Sequence, residues 1–528
     1  MNLNYKLKHN LRKNWDLLAV IGIYLILGFF LFNYFLYIAG VDGICYLSIA
    51  QKYASGDMLN AINGYWSPLF SWLIVPFILK GYTPLSTLIA SKILSLIIGL
   101  FTILGLYCLS CRFKINKTVK TVFIFSLIIP TLWFAYTELT PDLLMSCALI
   151  YCLVFLIDPD YPYKYSNGLM CGFTGALAYL SKSFAFPFFL ALFVLFSILY
   201  YFKKFKDDKR VVKNLILGLT IFFLISGSWA LILSEKYGEL TIGTSGEYNY
   251  NALGPDVQLH HPMFLFSVVK PPNPSAVSGW EDPSYVKLRS WSPFESWSSF
   301  QYQLKIIGEN ILRMAIIMFW FSPIMLPVLL LGIIAYLKSS DKTFKWGLMS
   351  LLITIFVFIV GYLPLVVLIR YFFFVYFLSF FLGSYILSEF ITRHGIDSIR
   401  KKLLLSIFFF LFIVSPFFLL TQDSGSYNGI YEASEFLKTD FHVQGSIASD
   451  SKFFDFPSLY LAYFLNSAYY GSVDANNNSL QLELEKNSIG YYFVWDKTKN
   501  INLSDYNEIN REMTYNNSFI PRVFKRTI

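Results

Sequence analysis

Long apolar stretches recur between residues 17 and 421 of this chain and constrain its fold more than any other feature. A helix that crosses a bilayer needs about 20 mostly apolar residues, because its backbone groups can bond only to one another in the hydrocarbon core. By that length the sequence predicts about eleven membrane-spanning helices. They lie near residues 17–38, 85–109, 121–137, 142–157, 166–181, 184–202, 213–233, 313–337, 346–368, 371–390 and 403–421.

The overall composition agrees with a polytopic α-helical membrane protein. Hydrophobic residues make up 56% and charged residues 14% of the 528 residues, whereas about 25% of the residues of a soluble protein are charged. This composition excludes a disordered chain and argues against a soluble enzyme.

The distribution of charge predicts how the chain is oriented in the membrane. The segment before the first span is basic, which predicts a cytoplasmic N-terminus and makes every second connection cytoplasmic. The net charge of +9 then divides into +15 on the cytoplasmic segments and −7 on the outer segments, with the remainder in the spans. Lys and Arg collect on the cytoplasmic side, and an odd number of spans places the C-terminus on the other side. We therefore predict a multi-pass membrane protein with its C-terminus outside, and we expect the membrane to be a prokaryotic plasma membrane. The basic excess therefore indicates no nucleic-acid partner.

The first large outer segment, residues 39–84, is predicted to contain two helices at the membrane interface. Residues 43–54 carry apolar side chains at helical spacing, and Asp42 stands where an N-cap would be expected. A second apolar piece, residues 69–79, follows Pro68 and predicts another interfacial helix.

The other two outer segments differ from each other in character. Residues 234–311 are rich in Pro, Trp and Ser, a composition that favours an ordered cover over a tether. In the tail, residues 422–528, helices alternate with strands, which predicts a small α/β domain outside the membrane. We expect helices at 430–438 and 458–466 and strands at 444–449 and 489–495. The chain thus divides into a transmembrane domain, residues 1–421, and a C-terminal extracytoplasmic domain.

Three acidic residues lie at the predicted outer ends of the spans, which we call the outer mouths. Asp42 follows the first span and could be a general base that deprotonates an acceptor, or simply a helix cap. Glu138 and Asp142 flank a very short outer turn, where two carboxylates could bind a divalent cation, Mg or Mn, or orient a sugar hydroxyl. The helix dipole explains Asp142 without a ligand, but it does not explain Glu138.

Two cations also lie at outer mouths, against the general distribution of charge. Lys182 and Arg370 could extend to lipid headgroups, or they could capture the phosphate of a lipid-linked substrate. The second interpretation is favoured because the other outer mouths are neutral or acidic. His261, in the second outer segment, is a weaker candidate for substrate binding.

Together these features resemble the GT-C superfamily of polytopic glycosyltransferases. Within it, the chain is similar to the branch of dolichyl-phosphate-mannose protein mannosyltransferases and bacterial aminoarabinose transferases. The resemblance covers residues 1–233 best. The chain lacks the Trp-Trp-Asp acceptor motif, which argues against an Asn-glycosylating subunit. It rests on Asp42 with Tyr46, on Asn63 through Pro68, on Glu138 with Pro141-Asp142, and on Lys182 and Arg370-Tyr371.

The resemblance implies a GT-C fold and an inverting transfer of a sugar in the cell envelope. The donor would be a sugar on a polyprenyl-phosphate carrier such as dolichyl phosphate, and the acceptor a protein, lipid or glycan. Asp42 would be the general base, and Glu138 with Asp142 a second acidic site, which holds a metal in some relatives. The substrate-binding residues would be Tyr46, Tyr65, Trp66, Lys182, Arg370 and Tyr371.

Two other classes of protein stay open on the sequence alone. One is a transporter or flippase for lipids or glycans, which would place charges along a cavity at the membrane midplane. The other is a non-catalytic scaffold for surface assembly. The chain has no P-loop, dinucleotide-binding turn or nucleophile elbow, so a transporter with its own ATPase is unsupported.

Overall fold

The computed structural model of this chain describes residues 15–258, 262–421, 425–451, 457–474, 479–511 and 519–527. Up to residue 421 the chain is helical apart from its loops. The helices there are α1 (Trp15–Phe35), α2 (Val41–Ser55), α3 (Met58–Ala61), α4 (Leu69–Ile78), α5 (Pro84–Arg112), α6 (Lys117–Ser126), α7 (Ile128–Thr137), α8 (Asp142–Leu156), α9 (Tyr165–Ser181), α10 (Ala185–Leu199), α11 (Lys209–Tyr237), α12 (Ser245–Ala252), α13 (Trp297–Phe321), α14 (Met325–Lys338), α15 (Lys342–Tyr362), α16 (Phe373–His394) and α17 (Ser398–Leu420).

All eleven stretches predicted to span the membrane are helical, but fewer of the helices are long enough to do so. Among the described residues, eight helices have the length and apolarity of a span, with α6 and α7 counted together. The pair α13 and α14 makes a ninth if it is one span bent by 104°. Helices α8 and α9 have 15 and 17 residues, short of the about 20 that a span requires.

The side chains on the surface of the helix bundle indicate that lipid surrounds it. Large apolar side chains are widely exposed on α1 and α11, such as Phe29 at 78% and Leu231 at 69%. Apolar patches of this extent are not found on soluble monomers, and they are normal where lipid tails replace water. The protein is therefore an integral membrane protein.

The two helices predicted in the first outer segment, residues 39–84 (the first outer loop), are present as α2 and α4. Their place at the membrane interface stays a prediction. The prediction that Asp42 caps α2 is wrong. The N-cap is Gly40, whose φ of 73° turns the chain sharply before the helix, and Asp42 lies in the first helical turn. The chain can turn there because glycine tolerates a positive φ at little cost. The side chain of Asp42 is consequently free of a capping role.

The second outer segment, residues 234–311 (the second outer loop), packs onto α2 through a buried ion pair. Lys52 of α2 contacts the Glu281 carboxylate, and both side chains are at most 4% exposed. The same carboxylate accepts hydrogen bonds from Ser48 Oγ at 2.7 Å and from the Val277 backbone N–H at 3.1 Å. Because every oxygen of Glu281 is engaged, this pair fixes the loop over the first outer loop.

The C-terminal domain contains a five-stranded mixed sheet flanked by helices. Its strands follow the order β2-β1-β3-β5-β4, with β1 parallel to β2 and β3, and β5 antiparallel to β3 and β4. The parallel pairings require crossover connections, which helices provide. The elements are α18 (Gly425–Phe441), β1 (Ser446–Ser449), α19 (Pro457–Phe464), β2 (Ala468–Ser472), α20 (Leu480–Lys486), β3 (Tyr491–Val494), β4 (Tyr506–Glu508) and β5 (Arg522–Arg526).

The two faces of this sheet belong to different cores. Tyr492 and Val494 lie in a small core of the C-terminal domain itself. Tyr491 and Phe493, which alternate with them along β3, belong to the large core that continues into the membrane helices. The predicted α/β domain is confirmed, and one face of its sheet belongs to a core that continues, through α19, into the membrane helices.

The buried Lys52–Glu281 pair yields a stability prediction. Lys52→Met leaves a buried carboxylate without its cation, which should lower the free energy of unfolding by about 3–5 kcal/mol. Adding Glu281→Leu removes the unpaired charge and should recover most of that loss. Denaturant unfolding in mixed micelles measures both effects, and a double variant no more stable than Lys52→Met alone would contradict the assignment.

Candidate functional site

The candidate site is centred on Asp42 in the first turn of α2. One carboxylate oxygen, Oδ2, forms an ion pair with the Arg370 guanidinium. The other, Oδ1, accepts a hydrogen bond from the Trp280 indole Nε1 at 2.9 Å. Arg370 lies in a short 3₁₀ turn, Ile369–Phe372, that leads directly into α16. Three parts of the chain that are distant in sequence therefore meet at one carboxylate.

Arg370 joins all three predicted acidic residues. Besides Asp42, its Nε lies 3.4 Å from Asp142 Oδ2 and its Nη1 lies 3.9 Å from Glu138 Oε2. Only 19% of the arginine side chain is exposed. A buried guanidinium requires counter-charges, and its planar fork can face several carboxylates at once.

Lys182 completes the group from the other side of Asp142. Its Nζ lies 2.5 Å from Asp142 Oδ1, while Thr140 Oγ1 donates to Asp142 Oδ2 at 2.8 Å. Asp142 lies in the first turn of α8, as predicted, and its side chain is only 2% exposed. Three carboxylates and two cations thus form one charge network, which carries a single net negative charge when all five groups are ionised.

Burial shifts the pKa of two members of the network. Desolvation raises the pKa of Glu138 to about 7, a rise that Arg370 opposes. About a third of this side chain stays exposed (36%), so the carboxyl group can still reach water. Desolvation also lowers the pKa of Lys182 to about 8, while Asp142 acts in the opposite direction. At neutral pH Lys182 is mainly charged, and Glu138 is divided between its two protonation states.

A groove of about 420 Å³ begins at Lys182 and Tyr371. The Lys182 ammonium lies 3.4 Å from the centroid of the Tyr371 ring, a cation–π contact that fixes the head of the groove. Ser183, Ser245 and Asn249 add polar groups there. The remaining wall is mainly apolar, and its residues on α10 and α15 include Pro187, Phe188, Ala191, Val357, Val360 and Gly361.

The predicted aromatic residues of the first outer loop lie beside Asp42 but are largely buried. Tyr46, Tyr65 and Trp66 are each at most 9% exposed, and Tyr65 and Trp66 both contact the Trp280 ring edge-on. Trp66 Nε1 donates to the Trp280 carbonyl at 3.1 Å, and Asn63 Oδ1 accepts from the backbone N–H groups of Tyr65 and Trp66. In this arrangement the cluster holds Trp280 in place. A direct contact of these rings with substrate stays a prediction.

The second outer loop contains one candidate that was predicted and one that was not. His261 was predicted to bind substrate, and it lies outside the described residues. Trp280 was not predicted, although the sequence Trp280-Glu281-Asp282-Pro283-Ser284 is conspicuous. It lies 238 residues from Asp42 along the chain, and no spacing rule connects positions so far apart.

The predicted divalent cation would meet carboxylates that are already paired with protein cations. Asp142 is paired with Lys182 and Arg370, and Glu138 faces Arg370. Within the described parts of the chain, no three His, Cys, Asp or Glu side chains are grouped so that they could hold a metal ion. The two cations supply the positive charge that a metal would otherwise supply, and the metal stays a prediction.

Comparison with known proteins establishes the fold. No protein-family model matches the chain, and neither does any curated protein sequence. The crystal structure of ArnT from Cupriavidus metallidurans bound to undecaprenyl phosphate superposes with a TM-score of 0.57 at 13% identity, covering 97% of this chain and 98% of that chain. The apo structure of the same ArnT gives a TM-score of 0.44 at 13% identity, with 92% and 93% covered. The superposition with the structure bound to undecaprenyl phosphate confirms the predicted GT-C fold.

The raised pKa of Glu138 can be measured without knowledge of the function. Its carboxyl group should be protonated near pH 5 and ionised near pH 9, with a midpoint at about 7. Infrared difference spectra between these two pH values should show the loss of a protonated carboxyl band that titrates at the midpoint. The band should be absent from Glu138→Gln, and its persistence in that variant would assign it to another group.

Proposed function

We propose that this protein is a membrane glycosyltransferase that moves a sugar from a polyprenyl-phosphate carrier to an acceptor hydroxyl, with inversion at the sugar. The observation that carries the proposal is the juxtaposition of an apolar groove with a charge network. The groove ends at Lys182, and Lys182 shares Asp142 with Arg370, which in turn contacts Asp42. A carrier lipid, its phosphate and a base would each find a matching environment there.

The groove suits the first part of such a donor. Its apolar wall on α10 and α15 matches a polyprenyl chain, which can enter from the bilayer. Lys182 and Arg370 match the phosphate, Lys as a point charge and Arg through its fork. The ArnT structure that shares this fold holds undecaprenyl phosphate, which supports a carrier of the same class here.

We assign the general base to Asp42. The acceptor hydroxyl gives its proton to the Asp42 carboxylate while its oxygen attacks the anomeric carbon. The bond from that carbon to the phosphate oxygen breaks on the opposite face, and the phosphate leaves with the electron pair. Lys182 and Arg370 stabilise the charge that develops on the leaving oxygen, so the reaction needs no separate acid on that side.

Glu138 is the competing candidate for the base. With its pKa near 7 and its side chain partly exposed, it is poised to accept a proton at neutral pH. Asp42 is preferred because it is hydrogen-bonded to the arginine that we assign to the phosphate, whereas Glu138 Oε2 lies 3.9 Å from that guanidinium. When Arg370 moves toward a bound phosphate, the Asp42 carboxylate becomes available to a proton.

The remaining parts of the proposal concern the partners and the location. The acceptor is a protein, a lipid or a glycan, reached from the outer face of the membrane. The distribution of charge supports a cytoplasmic N-terminus and a C-terminal domain outside, and we propose that the site lies at the outer face of a prokaryotic plasma membrane. Lipids of the outer leaflet would border the groove.

Substitution of Asp42 tests the base assignment. Asp42→Asn keeps the shape of the side chain but cannot accept the proton, so transfer should fall by at least about a hundredfold. Transfer of radiolabelled sugar from a polyprenyl-phosphate donor in proteoliposomes measures this. Asp57→Asn, in the same outer loop, is the matched control and should transfer normally. Near-normal transfer by Asp42→Asn, with loss of transfer by Glu138→Gln, would move the base to Glu138.

Substitution of Lys182 tests the phosphate site. Lys182→Met keeps the apolar stem but removes the charge, so the affinity for undecaprenyl phosphate should fall by about tenfold or more. Lys80→Met, which removes an exposed cation of the first outer loop, should leave that affinity unchanged. Titration of both variants in nanodiscs gives the comparison, and equal affinities would refute the phosphate site.

A further inference from the structure

The C-terminal domain contacts the membrane module, which is the transmembrane domain up to residue 421, directly beside Asp42. The backbone N–H groups of Ala39 and Gly40 both donate to the hydroxyl oxygen of Tyr460, at 3.1 Å for Ala39. Tyr460 belongs to α19 of the C-terminal domain and is only 1% exposed. One buried hydroxyl therefore binds two consecutive amides just before the helix that carries Asp42.

These two amides lie at the start of α2, where the N-cap makes no side-chain hydrogen bond. Gly40 caps α2 without a side chain, and its φ of 73° allows a sharp turn that most residues would resist. Only one residue separates Gly40 from Asp42. Gly40 has no side chain that could bond the first turn of α2, and Tyr460 of the C-terminal domain bonds the two backbone amides that precede this turn.

Other aromatic contacts of the C-terminal domain cover the same side of the membrane module. The rings of Tyr37 and Tyr431 stack at 4.8 Å, and Tyr427 packs against Tyr460 at 5.4 Å. Burial raises the pKa of Tyr427, and the Glu138 carboxylate adds to that rise. The tyrosines of the C-terminal domain thus lie against the segment that leads into α2 and Asp42.

A neighbouring tyrosine of the same helix makes a comparable contact farther from the site. Tyr463 donates to the Pro84 carbonyl at 3.0 Å and accepts from Gln51 Nε2 at 3.3 Å. Gln51 lies more than two helical turns beyond Asp42 along α2. Tyr463 therefore has the burial and the bonding of Tyr460 without its proximity to the start of the helix.

We propose that Tyr460 is a positioning residue, which fixes the Ala39–Gly40 turn and thereby the place of Asp42 relative to Arg370. The C-terminal domain is then a part of the catalytic unit and not an appendage to it. The consequence for the reaction rests on the proposed function, whereas the fixation of the turn does not. A displaced base slows the chemical step, since misplacement by about 1 Å can cost a hundredfold in rate, but it leaves the phosphate-binding groups, Lys182 and Arg370, in place.

The test compares Tyr460→Phe with Tyr463→Phe in the full chain, reconstituted in nanodiscs. Tyr460→Phe removes only the hydroxyl, so amide hydrogen exchange should become faster in the peptide that contains Ala39 and Gly40. Its kcat for transfer should fall by about tenfold, while its affinity for undecaprenyl phosphate should stay within about twofold of the wild type. Tyr463→Phe should leave the exchange of that peptide and the kcat unchanged.

A second variant disturbs the turn without touching the C-terminal domain. In Gly40→Ala the added Cβ would have no neighbouring atom within 4 Å, so there is no clash. The φ of 73° at this position is nevertheless strained for a residue with a Cβ. Gly40→Ala should reproduce the slower transfer and the unchanged carrier affinity of Tyr460→Phe. This variant keeps the test decisive if Tyr460→Phe does not fold.

The outcomes separate this inference from the proposed function. Unchanged exchange at Ala39 and Gly40 in Tyr460→Phe would overturn the inference, as would faster exchange with an unaltered kcat. Equal effects of Tyr463→Phe would overturn it too, because they would indicate a general loss of stability. If the wild-type protein transfers no sugar, the proposed function fails, and the exchange measurement still decides whether Tyr460 holds the turn.

Discussion

The arrangement of this site depends on one buried arginine. Arg370 contacts Asp42 and lies within 4 Å of Asp142 and Glu138, carboxylates that come from two distant places in the chain. A buried charge is costly unless it is paired, and removal of one partner leaves the others unbalanced. The ends of α2, α7, α8 and α16 are therefore held together by electrostatics at the mouth, while apolar packing holds the rest of these helices. In the proposed reaction, Arg370 exchanges one of these carboxylates for the phosphate of the carrier.

The outer segments stabilise this mouth from two directions. Glu281 of the second outer loop is bonded to Lys52, and this bond places Trp280 against Asp42. Tyr460 of the C-terminal domain holds the turn before the same helix. Helix α2 is thus fixed near both ends by segments that a reading of the membrane helices alone would treat as peripheral. Their contribution is to set the geometry of a carboxylate that neither of them carries.

Much of this fold could be predicted from the sequence, because apolar periodicity and the sidedness of Lys and Arg are local properties. The same is true of the residues in the charge network, since Lys182 and Arg370 were recognised as cations at mouths that are otherwise neutral or acidic. The capping of α2 was predicted wrongly, because Gly40 makes the turn through its own backbone conformation. Trp280 and Tyr460 could not be predicted. Their contacts span 238 and 420 residues, and no periodicity connects positions so far apart.

The most direct test of the central claim is a structure of this protein with undecaprenyl phosphate bound. The account predicts that the phosphate lies between Lys182 and Arg370, with the polyprenyl chain along the groove between α10 and α15. Arg370 should then have moved from Asp42 toward the phosphate. A phosphate located elsewhere, with the ion pair between Arg370 and Asp42 intact, would contradict both the carrier site and the role of this charge network.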